Sequence, residues 1–250
     1  MNNNLKDLVE LKDFTKVYSK GRNQITACKN INFKAERGKI TGLLGLNGAG
    51  KSTILKALSG AHYPSQGKVI VYGSEDNAYI RSITGLVPET PYSDPSLTVM
   101  ETLLFESQLH GISDKEGMKY IENAIKLFDL DAVLFQKVST LSKGYLQRTV
   151  FAKVLCYNPQ VLILDEFSTG LDPAQIVNMK KTIKALSKDK TVILSTHHID
   201  EAVALCDYIY IIHKGSILSQ GSISEILTQT GRKNLEEAFM YLTKEDVKSE

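Results

Sequence analysis

The sequence predicts an α/β fold built on a parallel β-sheet that helices cover on both faces. Three short runs are apolar almost throughout: VLILDE at 161–166, TVILSTH at 191–197 and YIYIIH at 208–213. Amphipathic helices are predicted between them, around Ile176 to Leu186 and around Ile199 to Cys206. Strands without polar alternation are typical of parallel sheets that are buried on both faces.

The first third of the chain is rich in β-strand patterns. The runs LVELKDFTKVY at 8–18, ITACKNINF at 25–33 and KITGLLG at 39–45 predict three strands. A helix is predicted after Gly50, and GKVIVYG at 67–73 predicts a further strand. Three predicted strands therefore precede the first predicted helix of the chain.

A helical segment interrupts the strands between about Pro88 and Tyr157. Ile121, Ile125 and Phe128 recur at helical spacing and share one face. We expect one domain at 1–243 with a helical subdomain inserted into it. The expected organisation is a core at about 1–88 and 158–225, a helical subdomain at about 89–157, a C-terminal helix at about 233–243 and a tail at 244–250.

Composition excludes several classes of protein. Of the 250 residues, 42% are hydrophobic and 23% charged, which is typical of a globular chain. No apolar run approaches the roughly 20 residues of a membrane-spanning helix, and the first ten residues lack the order of a signal peptide. We expect a chain that neither spans a bilayer nor enters the secretory route. A formal net charge of +2 with scattered lysines argues against nucleic acid as a partner.

The cysteines predict no disulfide framework. Cys28, Cys156 and Cys206 are odd in number and widely spaced, and each lies among apolar residues. We interpret them as small buried hydrophobic residues in a reducing compartment rather than as disulfides or metal ligands.

The run GLNGAGKST predicts a phosphate-binding loop. It fits the pattern G-x-x-x-x-G-K-[ST], follows an apolar strand and precedes a helix. The glycines let backbone N–H groups turn inward around phosphate oxygens, and the helix N-terminus adds partial positive charge. Lys51 is placed to neutralise the β and γ phosphates, Ser52 to bind Mg²⁺ and Thr53 to reach the α or β phosphate. The candidate nucleotide-binding residues of the loop are Gly45, Leu46, Asn47, Gly48, Ala49, Gly50, Lys51, Ser52 and Thr53.

The strand VLILDE supplies two carboxylates for the same site. Asp165 stands at its carboxyl end, where ligands bind in parallel sheets, and can hold Mg²⁺ directly or indirectly. Glu166 points differently and can align or deprotonate an attacking water. An apolar strand that ends in Asp-Glu is unspecific by itself, but it becomes a specific signal together with the loop.

The strand TVILSTHH ends in two histidines. A polar donor there could contact the γ-phosphate and stabilise the charge that develops in phosphoryl transfer. Strand-end histidines are more often plain hydrogen-bonding residues, and the residues alone do not decide between His197 and His198.

The motifs together resemble the ATP-binding cassette (ABC) ATPases, the energy-coupling subunits of ABC transporters, from the start of the chain to about Thr243. The family implies a P-loop NTPase (RecA-like) mixed sheet with an N-terminal antiparallel β region and an inserted helical subdomain. Its motifs occur in order: the Walker A loop at 45–53, the Walker B strand with the catalytic glutamate at 161–166, the signature LSKGYLQR at 141–148, the D-loop STGLDP at 168–173 with Asp172, and the switch region at 195–202. His197 falls on the switch histidine, and Tyr18 falls on the aromatic residue that stacks on adenine. The alternative role for Tyr18 is that of a strand residue whose ring packs in the sheet.

The resemblance gives a purpose to the signature stretch, which otherwise indicates a helix start capped by Ser142 or Gly144. In this family two subunits pack head to tail, and each ATP lies between the Walker A loop of one subunit and the signature turn of the other. The signature residues Ser142, Lys143, Gly144 and Tyr145 are therefore expected to act on the ATP of a second subunit, in a homodimer. ATP and Mg²⁺ are the implied cofactors.

A transport function implies further partners. Because this chain lacks a spanning segment, integral-membrane permease subunits must be separate, and the chain would lie at the cytoplasmic inner face of the membrane. We expect the permease to dock on the helical subdomain, near Pro91, Tyr92 and Leu97.

Four departures from the family pattern stand out. Lys143 and Tyr145 replace a glycine and a glutamine of the signature, and Lys143 would either bring positive charge near the partner's ATP or point to solvent. Glu89 replaces the Q-loop glutamine but can still contact Mg²⁺ or its water. Phe167 replaces a proline, which we expect to be tolerated. The A-loop and Q-loop substitutions resemble export-type cassettes for drugs, sodium and gliding motility.

Two other functions are compatible with the motifs. One is a soluble ABC-type ATPase that acts on ribosomes or DNA, although the second cassette, coiled-coil insertions and basic extensions typical of those proteins are missing. The other is a regulatory module that holds ATP and hydrolyses it weakly, which Glu166 and His197 argue against.

Overall fold

The computed structural model describes residues 8–20 and 23–248. The start of the predicted core at 1–7 and the last two residues of the predicted tail lie outside them. Within these residues the strands are β1 (Leu8–Lys20), β2 (Asn23–Glu36), β3 (Ile40–Leu44), β4 (Gln66–Val71), β5 (Thr84–Val87), β6 (Val161–Asp165), β7 (Thr191–Thr196), β8 (Tyr208–His213) and β9 (Ser216–Gly221).

The helices of the described residues follow the predicted alternation. They are α1 (Lys51–Leu58), α2 (Asn77–Ile83), α3 (Val99–Leu109), α4 (Asp114–Phe128), α5 (Lys143–Leu155), α6 (Pro173–Leu186), α7 (Ile199–Leu205), α8 (Ile223–Thr230) and α9 (Leu235–Lys248). Short 3₁₀ turns at Asp131–Val133 and Val138–Thr140 connect α4 to α5. In residues 8–20 and 23–248, no helix has the length and apolar character to cross a membrane.

A six-stranded sheet with the spatial order β5-β6-β7-β3-β8-β9 forms the centre of the molecule. Its first five strands run parallel, and β9 pairs antiparallel with β8. Every residue of β3, β6 and β7 is buried, as predicted for strands covered on both faces. A second, antiparallel sheet has the order β2-β1-β4. The fold class is therefore confirmed: α/β, with a mixed sheet and an antiparallel β region near the N-terminus.

Three apolar clusters hold these layers together. The first joins the helical subdomain to the central sheet, for example through Phe151 and Leu164. The second fills the space between the two sheets and α1, with Phe14 and Leu55 among its members. The third lies under α8 and α9 and includes Phe239. The inserted helices thus share a core with strands that carry the site.

Some elements differ from the expectation. The strands β5 and β9 and the helices α2 and α8 lack a strong sequence signal, because they are short or half-polar. The C-terminal helix α9 extends to Lys248, so that 244–248 continue the helix where a tail was expected.

Candidate nucleotide-binding and catalytic site

The ends of three adjacent parallel strands bring the predicted site residues together. The strands β6, β7 and β3 pair in register, with Asp165 opposite Ser195 and Leu44 opposite Thr196. Because parallel strands end at the same edge of a sheet, the segments that follow them converge there. The phosphate loop, the two carboxylates and His197 therefore meet at one edge.

The phosphate loop has the backbone that its glycines predict. Gly48 and Gly50 adopt φ angles of 82° and 104°, which only glycine adopts without strain. A Cβ on Gly50 would lie 2.8 Å from the Ala27 carbonyl oxygen and 2.9 Å from Cys28 Sγ. The loop is thus packed directly against β2, and α1 begins at Lys51.

The cysteine behind this loop behaves as predicted. Cys28 is fully buried and free, and burial raises the pKa of its thiol to about 12. Cys156 is also buried and Cys206 half-buried, and both are free. A thiol held in this way is a small hydrophobic residue and not a nucleophile or metal ligand at neutral pH.

A cleft of about 660 Å³ lies over the loop. Glu89 and Glu166 face it from other parts of the chain, which places the predicted Q-loop position at the phosphate loop. Gly45 and Leu46 stand at the base of the loop, outside the lining. The lining residues described are Ile25, Thr26, Ala27, Asn47, Gly48, Ala49, Gly50, Lys51, Ser52, Thr53, Glu89, Glu166 and Lys214.

Lys51, Glu166 and His197 form a continuous chain of polar contacts. Lys51 Nζ lies 3.1 Å from Glu166 Oε1, and His197 Nδ1 lies 2.5 Å from Glu166 Oε2. Lys51 also donates to the carbonyl oxygens of Gly45 and Leu46, at 2.7 and 3.2 Å. Lys51 and Glu166 are buried, whereas His197 is exposed. The side chains predicted to bind phosphate, activate water and stabilise charge are therefore in direct contact.

Ser195 orients both carboxylates, a role that the sequence did not reveal. Its hydroxyl donates to Asp165 Oδ1 at 2.5 Å and accepts from the Glu166 N–H at 3.2 Å. Glu166 has a φ angle of 49°, a left-handed conformation that costs a non-glycine residue free energy. The serine thus helps to hold the turn that separates the directions of Asp165 and Glu166. Its place at the end of β7, beside Asp165 in the next strand, was the available signal.

The oxygen donors at this edge fit a magnesium ion. Mg²⁺ in nucleotide sites takes one or two carboxylates, with phosphate oxygens and water completing its shell. Asp165 is buried at the strand end with one oxygen held by Ser195, and Ser52 and Glu89 line the adjacent cleft. In the described part of the chain, no group of three or more His, Cys, Asp or Glu side chains could hold a metal alone. Such a donor set is suited to a metal that arrives with a nucleotide.

The neighbours of His197 are also ordered. The His198 ring lies 4.0 Å from the His197 ring, centroid to centroid, and His198 is the N-cap residue of α7, whereas His197 is the histidine that contacts Glu166. Thr196 Oγ1 donates to Glu201 at 2.6 Å and accepts from the His198 N–H at 2.9 Å. These bonds fix the turn that presents His197 to Glu166.

Tyr18 stands beside the phosphate loop, as its assignment requires. Its hydroxyl lies 3.5 Å from Thr53 Oγ1, and 36% of the residue is exposed. The ring contacts His62 edge to face at 5.9 Å, and Lys16 Nζ lies 5.4 Å from its centre. The aromatic face is therefore accessible next to the cleft and is not packed inside the antiparallel sheet.

The signature turn lies outside the cleft. Ser142 caps α5 and accepts from the Tyr145 N–H at 3.3 Å, whereas Gly144 lies inside the helix. The Arg148 guanidinium stacks on the Tyr145 ring at 4.2 Å. None of the signature residues appears among the described residues that line the cleft. A phosphate-binding role for Ser142 would thus require a nucleotide on another molecule.

Lys143 lies beside the D-loop of its own chain. Its expected role was to bring positive charge near the partner's ATP or to point to solvent; the side chain is exposed, and its outer atoms lie across Gly170 in the D-loop. Farther along α5, the buried Gln147 donates to the Phe167 carbonyl oxygen at 3.2 Å. Asp172 caps α6 and accepts from the Gln175 N–H at 2.9 Å. The signature helix is therefore joined to the segment that follows Glu166.

The fold and this arrangement define a P-loop domain that binds and hydrolyses a nucleoside triphosphate. The profile of the ABC transporter family matches residues 28–169. The ABC-type transporter ATP-binding protein EcsA of Bacillus subtilis is 34% identical over 245 residues, which cover 96% of this chain and 98% of that protein. A solved ATP-binding subunit of an ABC transporter has a TM-score of 0.86 at 29% identity, with coverage of 94% and 99%.

A dimeric cassette solved in a post-hydrolysis state with ADP and Pi has a TM-score of 0.78 at 26% identity, and coverage is 86% of this chain and 98% of that one. The chain belongs to the ABC transporter family, and it is an ATP-binding and ATP-hydrolysing subunit that energises transport. The predictions of family, fold and enzymatic activity are confirmed. Neither alternative function receives support from these relatives.

Proposed function

We propose that Tyr18 and the loop at 45–53 bind ATP, and that Glu166 and His197 carry out its hydrolysis in a site completed by a second copy of this chain. The contact chain of Lys51, Glu166 and His197 carries this proposal. An ammonium group has three donors, so that Lys51 can meet the β and γ phosphates while remaining beside Glu166 once it releases the carbonyl oxygens of Gly45 and Leu46. The exposed face of Tyr18 would stack on adenine.

Glu166 is the group that positions the attacking water. In phosphoryl transfer the water oxygen bonds to the γ-phosphorus as the bond to the β–γ bridging oxygen breaks and ADP leaves. The carboxylate accepts a hydrogen bond or the proton from that water, and such a general base contributes about 10²- to 10⁴-fold to the rate. His197, held at Glu166, is placed to donate to the γ-phosphate oxygens.

Ser52 and Asp165 would hold Mg²⁺, with Glu89 as a further oxygen donor. When bound, the ion neutralises charge on the β and γ phosphates. The chain's own contribution is orientation: Ser195 holds one Asp165 oxygen, and Ser52 stands in the first turn of α1. Glu89 is exposed and lines the cleft, so that its extra negative charge reaches the metal region without a burial cost.

A second copy would complete each site with its signature turn. Ser142 and the start of α5 offer a hydroxyl, backbone N–H groups and a helix N-terminus to an anion. Ser142 is exposed. The neighbouring side chains of Tyr145 and Lys143 lie against Arg148 and Gly170 of the same chain. Two identical subunits would form an isologous interface with ATP in both contacts. Loss of the γ-phosphate then removes the contacts that favour closure.

A permease would transmit the closure to the membrane, and the chain would lie at the cytoplasmic inner face of the membrane through it. The helical subdomain presents several exposed apolar side chains near the predicted docking region. Tyr92 is 70% exposed, and Phe105 and Leu109 on α3 are 57% and 67% exposed. Large accessible apolar groups of this kind favour contact with a partner. Pro91 and Leu97, both half-buried, complete the region.

Phosphate release by the purified chain tests the proposal. Wild-type protein should release phosphate from MgATP, and Glu166→Gln should lower the rate by about 100-fold or more while ATP still binds. Lys51→Ala should lose both binding and turnover. His198→Ala is the matched control for His197→Ala, since only His197 contacts Glu166. Wild-type turnover in the Glu166→Gln variant, or equal losses for the two histidines, would refute the assigned roles.

A further inference from the structure

The signature turn rests on the D-loop of its own chain. Gly170 has a φ angle of 82°, and the Cδ, Cε and Nζ atoms of Lys143 occupy the space that a Cβ on Gly170 would need. A Cβ on Gly144 would similarly lie 2.8 Å from Gln175 Oε1. Gln147 bonds to the Phe167 carbonyl one turn later. The signature helix therefore contacts the D-loop at Gly170 and the chain on either side of the D-loop at Phe167 and Gln175.

The D-loop in turn continues directly from the catalytic glutamate. The Thr169 N–H donates to the Glu166 carbonyl oxygen at 3.1 Å, and the Leu171 N–H donates to the Ser168 carbonyl oxygen at 3.1 Å. Gly170 lies within the second turn and directly follows Thr169, the last residue of the first turn. A displacement of Gly170 is thus passed to the backbone of Glu166 over only a few bonds.

We propose that Lys143 is a positioning residue that couples the two ATP sites of the dimer. Its side chain clamps the signature turn, which acts on the partner's nucleotide, onto the D-loop that follows this subunit's own Glu166. The inference rests on the head-to-tail dimer proposed above. A closure that moves the signature of one site then moves the catalytic glutamate of the other, which is a coupling free energy between sites.

The clamp depends on the shape of both residues. Lys143 supplies a long aliphatic stem, which can cover an apolar backbone surface while its ammonium stays in water. Gly170 supplies the space, since any side chain there would displace the lysine. The Cδ, Cε and Nζ atoms all lie over Gly170 of the same chain, which distinguishes this role from a direct bond between the ammonium and a partner phosphate.

Mixed dimers separate the two roles. A low concentration of chain with Glu166 is mixed with an excess of the Glu166→Gln chain and MgATP, so that phosphate release comes from Glu166 of the dilute chain in mixed dimers. At that site the dilute chain contributes its D-loop and the inactive chain its signature. Lys143→Gly is introduced into either chain in turn, with the dilute chain alone as the background.

The clamp predicts that Lys143→Gly in the dilute, active chain lowers turnover by about 3- to 10-fold. Lys143→Met in the same chain should restore it, because the stem is retained. An effect confined to Lys143→Gly in the inactive chain would overturn the proposal in favour of a direct phosphate contact, and no effect in either chain would also overturn it. Absence of turnover in the unmodified mixture would instead refute the dimer mechanism, and the coupling with it.

Thermal unfolding tests the contact independently of the dimer. Gly170→Ala should lower the unfolding midpoint more in the Lys143 protein than in the Lys143→Gly protein, because the methyl group displaces the lysine only in the former. Gly73→Ala controls for backbone strain, since Gly73 has a φ of 81° but nothing within 4 Å of its Cβ position. An equal effect of Gly170→Ala in both backgrounds would show that the clamp does not exist.

Discussion

The Nζ atom of Lys51 lies 3.1 Å from Oε1 of Glu166, and each side chain is 6% exposed. The cation of the phosphate loop is therefore also the neighbour of the carboxylate that positions water. Burial makes this pair costly to separate, because either charge left behind would have little access to water and would lose its buried neighbour of opposite charge. Binding and hydrolysis thus share one electrostatic unit, and substitutions at the two positions must be interpreted together.

Lys51→Met should lower the free energy of unfolding by about 3 kcal/mol, since it leaves Glu166 buried without its cation. Adding Glu166→Gln to the same chain should recover most of that loss, because the buried charge is then removed. Urea unfolding of the two single variants and the double variant measures the interaction. Strictly additive losses would mean that the pair contributes nothing to stability.

Ser195→Ala should raise the Mg²⁺ concentration that gives half-maximal ATPase activity and lower turnover by about 10- to 100-fold, because an orienting partner of Asp165 is lost. Magnesium titrations of phosphate release measure both effects. Ser219→Ala is the control, since Ser219 is also buried and bonds Gln229 on the far side of the sheet. Equal effects of the two serines would contradict the role of Ser195.

Tyr18→Ala should weaken ATP binding by about 5- to 100-fold, the range expected for loss of base stacking on an aromatic ring. Tyr18→Phe should bind nearly as the wild type does, because the ring is retained and the hydroxyl contact with Thr53 is long. Fluorescence titration with a labelled ATP analogue compares the three proteins. Equal losses for Phe and Ala would indicate that the hydroxyl, not the ring, binds the nucleotide.

The sequence predicted the site better than it predicted the contacts that organise the site. Gly45 and Glu166 could be assigned because each follows a strand with a clear apolar pattern, and parallel strands end at one edge. The family resemblance was needed to choose His197 over His198. Ser195 could not, because its bond to Asp165 spans 30 residues of sequence and depends on strand order. The clamp of Lys143 on Gly170 was missed for the same reason.

The missed elements have a related cause. The strand β5 has four residues with a glycine inside, and β9 is an antiparallel, half-exposed strand of mixed polarity. Neither carries the continuous apolar run that identifies a buried strand from sequence. Their pairing with neighbouring strands, rather than their own composition, determines their structure.

Lys190 lies at the edge of the sheet opposite the site, and it should make the free energy of unfolding depend on pH. Burial lowers the pKa of Lys190 to about 8, although its ammonium donates to Asn158 Oδ1 and the Pro159 carbonyl oxygen. Between pH 8 and the ordinary lysine value the unfolded chain binds more protons than the folded one, so that stability rises with pH in this window.

Relative to Lys190→Gln, the wild type should gain about 1–3 kcal/mol in unfolding free energy as the pH rises from 8 to 10.5, a range reduced for partial exposure. Urea unfolding at several pH values measures this difference. Lys188→Gln, at an exposed lysine two residues away, should show no such gain. A wild type that loses stability relative to Lys190→Gln over this window would contradict the lowered pKa of Lys190.

We propose that the signature stretch LSKGYLQR binds the nucleotide of a second copy of this chain. Light scattering of the Glu166→Gln variant with and without MgATP tests it most directly, beside the same variant carrying Ser142→Arg and a control carrying Ser139→Arg, an exposed position outside the signature. We expect a dimer with MgATP that Ser142→Arg abolishes and Ser139→Arg preserves. A monomer under all conditions, or a dimer indifferent to Ser142→Arg, would contradict the claim.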